Sequence, residues 1–275
     1  MNRNYTAAAQ ASGRVETIRK TELTNLRDTY RAEAHAPIPN THHLTPEGQR
    51  DRQDRQRAAA RDKALARLDH LETEFNVNAD YIRAAANAVH TPPTDPTAAL
   101  LAEQRQTRAW NRAQTLLNSG RTVHQVIRTA NDADTIEALR AELPTWITAQ
   151  SPARIGVIMG SDPDAARDFT PLMRTLDQRL AEITPGLDSN LLKYRLELDR
   201  IEPGARVILR GLRNEIEHGR PMDIGTALEA HYVDQFAART IPDPNAQTEP
   251  TTSGRTTRTL KDATNAHYGT GNDAA

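Results

Sequence analysis

"RIGVIMGSDPD", residues 154–164, is the point at which two folds diverge in this 275-residue chain. An apolar run, a glycine and then small and acidic residues describe a strand ending in a phosphate-cradling loop. The same letters also describe a short turn of helix. Ser151-Pro152 supply an N-cap and a first-turn proline, Ile155, Ile158 and Met159 share one helical face, and Gly160 ends the turn. Asp162-Pro163 then opens another helix with acid at its positive end. A parallel sheet needs repeated βαβ units, whereas the chain beyond 164 carries helical periodicity with stops at Pro185-Gly186, Pro203-Gly204 and Gly219 before Pro221. The helical reading is the one adopted.

The stretch also resembles the N-terminal strand and phosphate loop of the purine-biosynthetic aminoimidazole ribonucleotide carboxylase/mutase family. Gly160, Ser161, Asp162 and Asp164 match that loop, and Pro163 stands where the family has serine. The resemblance implies a doubly wound α/β enzyme whose loop holds a substrate phosphate. It is confined to this stretch, and the family's Ser-Ala-His-Arg segment and glycine-rich second loop have no counterpart here.

Outward from this point, composition favours helices over a single large globule. Hydrophobic residues make up 37% of the chain, aromatics 4%, and the mean hydropathy is −0.70, so the core must be thin for the length. A net charge of −1 gives no bulk attraction to nucleic acid or to anionic membrane. With no cysteine, disulfides, thiolate metal sites and a cysteine nucleophile are excluded. No 18-residue apolar run occurs, and MNRNYTAAAQASGR has no signal-peptide core, so the expected location is cytoplasmic, or virion-associated if phage encoded. The only lysines are Lys20, Lys63, Lys193 and Lys261; this arginine preference points to a high-GC bacterium or its phage.

Proline-marked joints divide the chain. Residues 1–35 read as a helical arm with a narrow stripe of Val15, Ile18, Leu23, Leu26 and Tyr30, followed by a proline-rich joint over 36–46. Thr45-Pro46 starts a charged helical segment, 47–89, which Asn78 divides by capping a further helix. A helical body is expected over 97–240, with helices near 122–130, 134–143, 164–183, 188–201, 205–218 and 223–238. Within it, Ile224, Ala227, Leu228, Tyr232 and Phe236 form the cleanest apolar helical face of the chain. Residues 241–275 are polar and read as a disordered tail.

Candidate chemistry is sparse. Glu215 and His218 have the Glu-x-x-His spacing of helical metal ligands, but a di-iron bundle needs two such pairs, and a surface pair near the helix end is expected. His42-His43 reads as part of a loop. Residues 122–143 have helix-turn-helix dimensions, yet Asp134, Glu137 and Glu142 outweigh Arg140, which is wrong for a helix facing phosphates. In 47–74 seven basic residues interleave with seven acidic ones, the pattern of a solvated, self-supporting helix.

The sequence therefore predicts an all-α, elongated multi-helix protein with no catalytic, cofactor or metal site. Its expected function is non-enzymatic assembly, as a scaffolding or accessory protein of a phage or mobile element, working through helix–helix contacts with protein partners. Leu65, Leu68, Leu71 and Phe75 are the expected helix-interaction face, with coiled-coil-like self-association through them. A phosphate-binding enzyme using 154–164 and a DNA-binding regulator using 122–143 are the alternatives.

Overall fold

The computed structural model describes residues 2–39, 43–91, 94–150, 154, 155, 159 and 168–241. Every regular element among them is helical, and no strand occurs. In chain order these are α1 (Asn2–Thr17), a wide turn of π-helix (Ile18–Glu22), α2 (Leu23–Ala34), α3 (Pro46–Asn87) with a 3-10 turn at its end (Ala88–His90), α4 (Pro96–Asn118), α5 (Val123–Thr129), α6 (Ala133–Thr148), α7 (Thr170–Ile183), α8 (Leu187–His218) and α9 (Ile224–Ala237).

Side-chain caps set most starts. Thr45, Asp95, Asp132 and Asp223 each accept a hydrogen bond from the backbone N–H three residues on, and Thr122 with Gln125 forms a reciprocal capping box. Gly219, at φ +66°, closes α8 in the left-handed conformation that a side chain disfavours.

The π turn resolves a stutter in the N-terminal stripe. Ala8, Ala11, Val15 and Ile18 step by three or four residues, then five residues separate Ile18 from Leu23. A regular helix turns those two side chains about 140° apart. The wider turn, closed by the Leu23 N–H donating to the Ile18 carbonyl, returns Leu23 to the buried side.

Two apolar cores result. The first joins α4 to α7 around Leu117, Ile127, Leu139, Leu143 and Leu176. The second joins α1, α2, α3 and α8 around Ile18, Leu68, Phe75, Leu198 and Leu212. Helix α8 serves both: Leu192 lies in the first core, and Leu198 to Ile216 lie in the second.

Three boundaries differ from the sequence reading. Helix α3 runs unbroken through Asn78, whose side-chain amide donates to the Glu74 carbonyl at 2.7 Å instead of capping a new helix. Helices α6 and α8 continue through Pro144 and Pro203. An interior proline costs about 3 kcal/mol, but here buried residues flank it on both sides, Leu143 and Ile147 in one case and Ile201 and Ala205 in the other. Packing outweighs the lost hydrogen bond. The chain also remains packed one residue into the expected tail: Ile241 is buried in the first core and its N–H donates to Thr175 Oγ1 at 3.0 Å. Residues 242–275 lie outside the described residues.

Candidate functional site

Helix α9 is mounted with its most apolar face outward. Ile224, Leu228, Tyr232 and Phe236, spaced four residues apart, are 80, 49, 65 and 55% exposed. A helix normally turns such a stripe to the core. Here the opposite face, Thr226, Ala230 and Asp234, lies against α8 because α8 offers two glycines at its contact points. A Cβ on Gly204 would stand 2.5 Å from Asp234 Oδ1, and one on Gly211 would stand 2.7 Å from Thr226 Cγ2. Close approach of the two backbones selects small residues beneath α9 and leaves its large ones outside.

Two buried acids anchor this helix. Asp234 accepts from the Gly204 N–H at 2.9 Å, next to Pro203, and pairs with Arg19 from the π turn. Glu215 accepts from Arg31 of α2 at 2.5 and 3.0 Å and from the Met222 N–H at 2.8 Å, in the connection leading into α9. The Glu215 bonds also raise the Arg31 pKa above its ordinary value. The entry to α9 and its second half are thus each tied to the N-terminal helices by a charge-assisted bond. This corrects the expectation of a surface Glu215–His218 pair: Glu215 is buried against α2, and His218 is exposed. The exposed stripe has charged borders, with Glu229 paired to Arg210 at 3.0 Å and the Arg239 guanidinium lying 4.6 Å from the centre of the Phe236 ring.

The face expected to bind other helices is used inside the chain. Leu68, Leu71 and Phe75 are fully buried against α1, α2 and α8, with Leu65 partly buried beside them. Ion pairs join the same helices: Arg14 with Glu74, Lys63 with Glu33, and Arg213 with Asp69 and Glu72. A stripe too narrow for a globular core is wide enough once three neighbours share it.

Of the stretch 154–164, Arg154, Ile155 and Met159 are described and are helical. Met159 is buried in the first core with Ile155 against it, and Arg154 lies 5.7 Å from the Trp146 ring centre. Residues 156–158 and 160–164, including the Gly160–Asp164 loop, lie outside the described residues, as does His42. Among the described residues no group of three histidine or acidic side chains is placed to hold a metal. Helices α5 and α6 follow one another across a short turn but pack chiefly on α4 and α7; α6 buries Ile136, Leu139, Leu143 and Ile147, and its single arginine, Arg140, is paired to Asp177. A cleft of about 540 Å³ beside α4 and α6 contains a His90–Glu137 bond of 2.6 Å and an Arg105–Asp134 pair of 3.4 Å. These bonds tie the end of α3 and α4 to α6.

No family model, curated protein or solved structure matches this chain.

The α9 surface was half legible beforehand. Its stripe is the clearest in the sequence. Its outward orientation was missed, although the small-residue pairs Gly204/Gly211 on α8 and Thr226/Ala230 on α9 were a readable signal of close helix contact.

Proposed function

We propose that this is a non-enzymatic assembly protein, of scaffolding or accessory type, which acts through helix–helix contacts and offers the outer face of α9 to its partner. The observation that carries this reading is a doubly anchored helix with four large apolar side chains in solvent. Together they present on the order of 500 Å² of apolar surface, towards the upper end of the largest patch on an ordinary monomer (about 300–600 Å²). Covering it is worth roughly 12 kcal/mol at about 25 cal/mol per Å², against an association cost of about 4–15 kcal/mol. The surface therefore suits a reversible contact. Long charge-balanced helices, proline joints and a thin core are also the general character of bacteriophage scaffolding and head-accessory proteins, a class analogy only.

The test compares tagged full-length chain with its Leu228→Asp/Tyr232→Asp variant in extracts of cells that make the protein. The expected wild type elutes in a species heavier than 30.5 kDa. The variant elutes at monomer mass with an unchanged helical circular dichroism spectrum. Elution of both at monomer mass overturns the proposal.

A further inference from the structure

Resting on the reading of α9 as an interaction surface, we infer that its occupant is the same stripe of a second copy, crossing it antiparallel about a two-fold axis near Ala230. Three features of the stripe argue for this. First, it is polar in composition along its length: Ile224 and Leu228 stand at the N-terminal end, Tyr232 and Phe236 at the other. An antiparallel crossing sets Ile224 against Phe236 and Leu228 against Tyr232, each pair occurring twice, and so places an aliphatic side chain on an aromatic ring at all four contacts. A parallel crossing would instead oppose each residue to itself.

Second, the strict four-residue spacing forms a single i, i+4 ridge. Two such ridges align when helices cross at about −50°, the commonest class of helix packing. Third, the area fits. One patch of roughly 500 Å² is small for an interface, but a symmetric contact uses it twice and reaches about 1,000 Å², the size at which specific association begins. Two-fold dimers are also the commonest closed assemblies. Glu229, which the axis brings towards its own copy, already has Arg210 as a counter-ion at 3.0 Å.

The contact is at the lower limit of area for specific association, so the expected dimer is reversible. Sedimentation velocity on purified full-length chain over a concentration series tests it. Wild type passes from monomer to dimer, and Leu228→Asp/Tyr232→Asp stays monomeric with wild-type helicity. The orientation has its own readout. A chain with Leu228→Lys and a chain with Tyr232→Glu are each monomeric alone, but mixed they form a one-to-one heterodimer, because the new lysine meets the new carboxylate while the other half of the contact is intact. A mixture that stays monomeric overturns the antiparallel pairing. A wild type that is monomeric throughout overturns the second copy, while heavier species in cell extracts would leave the assembly reading standing. If a monomeric wild type becomes dimeric on truncation after Ile241, residues 242–275 are the occupant and the inference is wrong.

Discussion

Replacing Asp234 with alanine removes the carboxylate that neutralises Arg19 and receives the Gly204 N–H. Breaking a buried pair from one side typically costs about 3–5 kcal/mol, because the remaining charge is left without a partner. Arg19 keeps 18% of its side-chain surface exposed and recovers some hydration, which places the loss near the low end. The orphaned Gly204 N–H adds about 1 kcal/mol. The expected loss is therefore about 3–4 kcal/mol, a large share of the 5–15 kcal/mol that ordinarily separates folded from unfolded chains. Asp234→Asn keeps an oxygen for Gly204 and should lose about half as much. Arg19→Met added to Asp234→Ala removes the stranded charge, so the double variant should be more stable than Asp234→Ala alone by at least about 1 kcal/mol. Urea unfolding followed by far-ultraviolet circular dichroism measures all three, together with the Arg19→Met single that completes the cycle. A loss below about 1 kcal/mol for Asp234→Ala, or a double variant showing the sum of its singles, would refute the latch.

Glycine-to-alanine changes should divide by location. Gly13→Ala in α1 meets nothing within 4 Å and should stabilise by about 0.5–1 kcal/mol, while Gly204→Ala should destabilise by about 1–3 kcal/mol despite the same gain in helix propensity, as melting curves will show. Phe75→Ala should cost about 3–5 kcal/mol in urea unfolding, since the ring is fully buried among α1, α2, α3 and α8; a loss under about 1 kcal/mol would mean that this core is not closed within one chain. Stability should also fall in acid. Burial works against ionisation of Glu202, but hydrogen bonds from Arg83 and Arg206 outweigh it and hold the carboxyl below its ordinary 4.5; Arg14 does the same for Glu74. Folded-state values below the unfolded ones stabilise fully above about pH 4.5 and lose that contribution as pH falls through the folded values. A Tm that stays constant from about pH 6 to about pH 3 would contradict this.

The helices themselves were written locally. Thr45-Pro46, Asp95-Pro96, Thr122 with Gln125, and Asp223 are caps whose partners lie three residues away, so their structural role does not depend on the rest of the fold. The all-α class followed from such signals and from the helical spacing of apolar residues. The five-residue step from Ile18 to Leu23 was equally visible, and only a π turn satisfies it without exposing one of the two. What local signals left open was which face meets what. Leu68, Leu71 and Phe75 form a stripe that a second copy or the same chain would cover equally well, and the sequence alone favoured the former. Pro144 and Pro203 looked like stops because their penalty is local, whereas the burial that overrides it comes from distant helices. Glu215 reads locally as a surface acid, and nothing near Asp234 marks it as buried; their partners Arg31 and Arg19 lie 184 and 215 residues earlier in the chain. The outward stripe of α9 belongs to the same class. Its apolarity is a property of the sequence, but its exposure exists only because two glycines on α8 admit the small side of α9 and exclude the large one.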